Sequence, residues 1–233
     1  MPTRRDELAA NLMDTEARIA AACAAAGRDR AELTLVVVTK TFPASDVVEL
    51  AGLGVRDVGE NRHQEAAPKF AQAYAEGARV VRHMIGQLQT NKAAAVAAYA
   101  DVVHAVDRPK LVRALAAGLA RHGRTAAALI QVSLDDAPGR GGADPGDVPD
   151  IADAIATCPE LSLRGVMAVA PLGADPDAAF ARLAQIAAQL RADHPEASWI
   201  SAGMSGDLEA AVRHGATHLR VGTAILGSRS PLL

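Results

Sequence analysis

A chain of 233 residues, half of them hydrophobic, can bury one sizeable core, which predicts a single domain over residues 1–233. A formal net charge of −3, with only three Phe, two Tyr and one Trp, excludes the basic, base-stacking surface of a nucleic-acid binder. The first residues, Met1-Pro2-Thr3-Arg4-Arg5-Asp6, run into an alanine-rich amphipathic stretch without the apolar length of a signal peptide or membrane span, so a cytoplasmic protein without membrane contact is expected.

That stretch predicts a leading helix from about Arg4 to Ala26, closing at Gly27, a residue suited to the left-handed conformation at helix ends. Apolar runs then begin near Leu33, Asp57, Val80, Val102, Ala126, Leu161, Trp199 and Thr217, each followed by a helical pattern. Eight such units predict an α/β chain built as a single (β/α)8 TIM-type barrel with an extra N-terminal helix. A doubly wound open sheet is the alternative.

Lys40 follows the run Leu33–Thr39. In a parallel barrel that places an amine at the carboxyl end of a strand, where ligands collect and where a partly desolvated amine can attack an aldehyde. The same placement suits a lysine that caps a strand at the surface. Asn61, after Val58-Gly59-Glu60, can orient a ring or cap the next helix. His83 stands among apolar neighbours, as a core or barrel-mouth histidine or as a general base. Thr90 and Asn91 read as a helix opening with Lys92 in its first turn, and Tyr74 and Tyr99 fall in helical stretches away from strand ends.

Between Ser133 and Val148, Gly, Pro and Asp are too frequent for regular structure, so a long βα loop is expected. Cys23 and Cys158 lie too far apart for metal-type spacing and are read as packing residues. Near the end, Ser205 is expected to close a strand and open a helix at Asp207, aiming donors at an anion, while Gly222 and Thr223 follow the eighth strand. Barrel phosphate sites are often assembled from the loops after strands seven and eight. With Lys40 on the same face, these residues imply a ligand carrying a phosphate and a carbonyl.

Five ordered motifs carry a resemblance over nearly the whole chain: Val38-Thr39-Lys40-Thr41, Gly59-Glu60-Asn61, His83-Met84-Ile85-Gly86-Gln87-Leu88-Gln89-Thr90-Asn91-Lys92, Gly203-Met204-Ser205-Gly206-Asp207 and Arg220-Val221-Gly222-Thr223. They resemble the pyridoxal phosphate homeostasis proteins, whose fold is a single alanine-racemase-like barrel. The resemblance implies that pyridoxal 5′-phosphate (PLP) is held as an internal aldimine on Lys40, with Arg220 facing its pyridine nitrogen. The residues it places at the cofactor are Lys40, Asn61, His83, Met204, Ser205, Gly206, Arg220, Gly222 and Thr223, with no catalytic residue and no metal. It further implies a monomeric carrier that buffers PLP for vitamin B6 homeostasis and supplies apo PLP-dependent enzymes. A PLP-dependent racemase-like enzyme and a Schiff-base aldolase are the alternatives. Three departures stand out: Arg82 replaces the Trp that usually precedes His83, Arg62-His63 replaces an aromatic-aliphatic pair, and Asp136–Gly141 replaces a Glu-x-x-Lys-x-Gly pattern, with Arg140 as its positive charge or a solvated loop arginine.

Overall fold

The computed structural model describes residues 2–135 and 141–227. Its centre is a closed barrel of eight parallel strands in chain order: β1 (Thr34–Val38), β2 (Asp57–Glu60), β3 (Val81–Met84), β4 (Val102–Val106), β5 (Ala126–Gln131), β6 (Leu161–Met167), β7 (Trp199–Ser201) and β8 (His218–Val221). The last seam, β8 on β1 from Thr34↔His218 to Val37↔Val221, closes the sheet and rules out the open doubly wound alternative. Around it run α2 (Ala44–Gly52), α3 (His63–Ala75), α4 (Ala93–Ala97), α5 (Pro109–His122), α6 (Val148–Ala156), α7 (Pro176–Asp193), α8 (Leu208–Arg213) and α9 (Thr223–Leu226), preceded by α1 (Arg4–Ala25).

Local chemistry sets these boundaries. Thr3 and Asp6 cap α1 reciprocally, each side chain accepting from the other's backbone N–H, and the chain leaves the helix through Gly27 at φ 66°. Pro109 opens α5, where its missing N–H costs nothing, and Gly123 in the left-handed region ends it. Between them Leu111, Val112, Leu115 and Leu119 recur on one face and are fully or almost fully buried. Each such side chain contributes about 1.5–3 kcal/mol relative to exposure.

The core has two parts. The larger lies between the strands and the helices, while Val102, Ala105, Leu129 and Met167 form a separate cluster made of strand residues alone. Polar groups fill much of the space between strands: His83, His104, Ser201, His218 and Arg220 are all buried strand residues.

Some expectations shift. The strand β7 ends at Ser201 and α8 begins only at Leu208, so Ser205 neither closes a strand nor directly opens a helix. Gly203 at φ 90° and a bond from Met204 N–H to Asp207 Oδ1 (2.6 Å) fold residues 203–207 into a separate turn. Tyr99 sits in a turn after α4, buried and stacked on His63. The loop after β5 carries a bridge between Val132 and Ala143 and a short 3-10 turn at Pro145–Asp147; Asp136–Arg140 lies outside the described residues. Cys23 and Cys158 carry free thiols; Cys23 is buried, as a packing residue should be, and Cys158 is partly exposed.

Candidate functional site

At the carboxyl end of the barrel a cleft of about 260 Å³ is lined by Val38, Lys40, Thr41, Phe42, Asn61, Ile85, Val169, Met204, Ser205, Arg220, Gly222, Thr223 and Gly227. Seven of the nine residues expected at a cofactor are thus brought together. Gly206 adjoins them in the 203–207 turn; His83 stands apart. Lys40 lies two residues beyond β1, half-buried, and its amine makes no hydrogen bond or ion pair among the described residues. Thr41 directly after it has φ 70°, a strained conformation for a β-branched residue of the kind that gathers at functional sites.

One wall of the cleft is rich in hydrogen-bond donors. The backbone N–H groups of Ser205, Gly206 and Gly222 have no partner among the described residues, and the Ser205 and Thr223 side chains stand beside them. Gly222 lets this turn lie close to β1, because a Cβ would sit 3.0 Å from Val38 O and the turn would have to give by a few tenths of an ångström. On the floor, Arg220 donates from Nη1 to Ser201 Oγ (2.7 Å) and from Nη2 to Ala168 O (2.8 Å). Burial pushes its guanidinium down to about 10, opposed by Asp207, so it stays charged at neutral pH. Lys40 and Arg220 are the titratable groups of the lining, which itself holds no carboxylate.

Several supporting residues escaped sequence reasoning. Behind Lys40, Lys69 Nζ donates to Thr39 O (2.7 Å) and to Glu60 Oε1 (2.5 Å), which also accepts from Thr39 Oγ1 (2.7 Å). Burial raises the Glu60 pKa, and Lys69 and Thr39 partly offset that rise. From α1, Arg18 donates to Ser205 O (2.6 Å), while Asn11 (2.9 Å) and Arg4 (3.1 Å) donate to Ile225 O and Leu226 O. The leading helix therefore holds both the 203–207 turn and α9. Gly86 lets the turn after β3 meet Asn61, since a Cβ there would lie 2.1 Å from Asn61 O. The Gly in the His83–Lys92 stretch was the one signal of that contact. Arg82 is engaged away from the cleft, with Asp101 (2.8 Å to each oxygen).

The expectation that His83 contacts the ligand is not met by the geometry. Its side chain is 1% exposed, points between the strands, and spends both ring nitrogens on His104 Nε2 and Asp57 Oδ1, each at 2.9 Å. His104 Nδ1 in turn meets Ser201 Oγ at 2.9 Å, and Ser201 meets Arg220. A run of hydrogen bonds thus crosses the barrel from Asp57 at the start of β2 to the cleft floor. Burial, with His83 and Arg220 close by, drives the His104 pKa well below its usual value and keeps the ring neutral.

The fold and the cleft together define a class. The sequence profile of the alanine racemase N-terminal domain matches residues 11–230. The barrel is also found, at 19% identity and a TM-score of 0.74, in a D-threonine aldolase from Filomicrobium marinum, over 94% of this chain and 60% of that one, which shows shared fold alone. Within that class the similarity narrows. The pyridoxal phosphate homeostasis protein of Mycobacterium tuberculosis is 45% identical over 98% of this chain and 95% of its own length. PipY of Synechococcus elongatus, solved with PLP bound, superposes at a TM-score of 0.82 and 31% identity, over 94% of this chain and 100% of that one. The chain belongs to the pyridoxal phosphate homeostasis protein family. Among the described residues no helix is long and apolar enough to cross a membrane, and no group of His, Cys, Asp or Glu is arranged to hold a metal ion.

Proposed function

We propose that this chain, as one barrel domain over residues 1–233, binds PLP through Lys40 and holds it as a carrier for vitamin B6 homeostasis, releasing it to apo PLP-dependent enzymes in the cytoplasm. The observation that carries the reading is the single cleft in which an unpaired strand-end amine faces an anion-binding wall and a buried arginine floor. The residues present fit the cofactor. Unpaired N–H groups at Ser205, Gly206 and Gly222, with the hydroxyls of Ser205 and Thr223, suit a phosphate, and Lys40 suits a carbonyl. When bound, PLP supplies an electrophilic carbonyl carbon and an electron-withdrawing ring.

The chain's own residues then decide how much chemistry follows. Arg220 can only donate, so it suits an unprotonated ring nitrogen as its acceptor, and an unprotonated ring withdraws electrons less strongly. Asn61 and Met204 border the same cleft, where they limit the ring's position. Beyond Lys40 the lining, among the described residues, offers no group able to take a proton near neutral pH: Tyr74 is exposed on α3, and Tyr99 is buried, its hydroxyl directed to Met84 Sδ at 3.7 Å. A cleft of this kind favours holding over turnover, and supports a carrier over a racemase-like enzyme or an aldolase.

The test is direct. Protein mixed with PLP turns yellow at one equivalent, and borohydride reduction with peptide mapping places the pyridoxyl group on Lys40. Lys40→Ala abolishes both signals. Adduct recovered instead on Lys92, which lines a neighbouring cleft, or on the exposed Lys110 would overturn the assignment. Turnover of an amino acid at about one per second or faster would replace the carrier reading with an enzymatic one.

A further inference from the structure

The hydrogen bonds that cross the barrel interior have a direction. Arginine only donates, so Ser201 Oγ accepts from Arg220 Nη1 (2.7 Å). A carboxylate only accepts, so His83 Nε2 carries the proton it shares with Asp57 Oδ1 (2.9 Å). Between these ends lie Ser201 Oγ to His104 Nδ1 and His104 Nε2 to His83 Nδ1, each 2.9 Å. Three proton arrangements can fill them; the one that puts a second proton on His104, a ring with no exposed surface, is excluded by its burial, which leaves two.

In the first, the Ser201 hydroxyl donates to His104 Nδ1 and His104 Nε2–H donates to His83 Nδ1. Both rings are neutral, and every donor lies on the Arg220 side of its acceptor. In the second, one further proton sits on His83, His104 donates from Nδ1, and two donors converge on Ser201 Oγ. The Ser201 hydroxyl proton then has no partner among the described residues. The first arrangement leaves both rings neutral between one cation, Arg220, which Asp207 also faces, and one anion, Asp57. The second adds a cation beside His104, which already faces Arg220 and the basic His218. Charge in a poorly solvated interior is costly unless paired, so the first arrangement prevails.

We propose that Asp57, His83, His104 and Ser201 are positioning residues that hold Arg220 through this one-directional chain, so that a carboxylate at the amino end of the barrel fixes the donor presented on the cleft floor. The effect on the ligand rests on the PLP reading; the proton arrangement does not.

Imidazole nitrogen NMR of the ligand-free protein at neutral pH shows His83 and His104 as neutral Nε2–H tautomers. A doubly protonated His83 in the parent protein overturns the proposal. The Asp57 side chain is 21% exposed, so water replaces it in Asp57→Ala, and the two tautomers then mix. Asp57→Asn, whose carbonyl oxygen accepts the same bond, restores the parent spectrum. For PLP, Ser201→Ala weakens binding on the order of tenfold, as expected for one lost hydrogen bond to a charged group. Asp57→Ala weakens it by a smaller factor, and the double variant binds no more weakly than Ser201→Ala, because the chain is already cut. Additive losses, or an Asp57→Ala protein with parental tautomers or parental PLP affinity, overturn the proposal. A parent protein that takes up no PLP overturns the cofactor reading instead, and the tautomers and their response to Asp57→Ala then decide the chain alone.

Discussion

At Ser205 and Thr223 a single hydroxyl is expected to add little to PLP binding, because neighbouring backbone N–H groups supply most of the donors. With the N–H groups of Ser205, Gly206 and Gly222 free to face an anion, losing either hydroxyl costs about 1–2 kcal/mol of PLP binding. Ser205→Ala combined with Thr223→Val should weaken PLP far more than pyridoxal, which lacks the phosphate. Comparing the two dissociation constants by fluorescence titration checks this, and an equal loss for both ligands would remove the phosphate from these turns. Lys40, Asn61, Ser205, Gly222 and Thr223 were legible in the sequence because each lies within a few residues of the end of a strand-like run. His83 was misplaced because its motif shows that the position matters without showing which way the side chain points.

At the scale of elements, the ends of β1 and β2 are tied by one buried ion pair. Lys69 on α3 reaches Thr39 O and Glu60 at once, with Lys69 and Glu60 side chains only 8% and 0% exposed. Lys69→Met leaves the Glu60 carboxylate buried without its cation, so urea unfolding should show a loss of about 3–5 kcal/mol. Adding Glu60→Gln should recover part of that loss, since the stranded charge is gone. If the double variant is no more stable than Lys69→Met, the loss comes from packing. The helix α1 acts at the same scale, because its bonds to Ser205, Ile225 and Leu226 hold the 203–207 turn and α9 against the barrel. Its amphipathic pattern predicted the helix, but nothing in that pattern named its partners some two hundred residues away.

For the molecule as a whole, the polar interior makes stability depend on pH. Burial, with His83 nearby, pushes the His218 pKa from 6.5 down to about 4, so the folded state keeps the ring neutral where the unfolded chain protonates it. Stability is therefore fully present above the unfolded pKa and falls as pH drops from about 6.5 to about 4, by about 3 kcal/mol for this ring alone. His104, shifted in the same direction, adds to the loss. Thermal melts from pH 7.5 to pH 4.5 should show the decline, and His218→Phe, which keeps a ring against Trp199 at a centroid distance of 4.3 Å in the parent, should flatten it. A decline of the same steepness in that variant would place the titration elsewhere.

The sequence by itself determined the eight βα units, the leading helix with its Gly27 exit, the strand-end lysine and the small residues after the last two strands. All of these are local: periodicity, capping chemistry and a residue's distance from the end of an apolar run. Tertiary structure alone decided which side chains of each strand point inward. A parallel strand buried on both faces has no alternation to read, and a shift of one residue turns every side chain over. That choice joined Asp57, His83, His104, Ser201 and Arg220, drawn from five strands, into one run of hydrogen bonds. Packing of α3 on the first two strands also set Lys69 Nζ on Thr39 O, next to Lys40 in the chain, a contact that no spacing in the sequence shows.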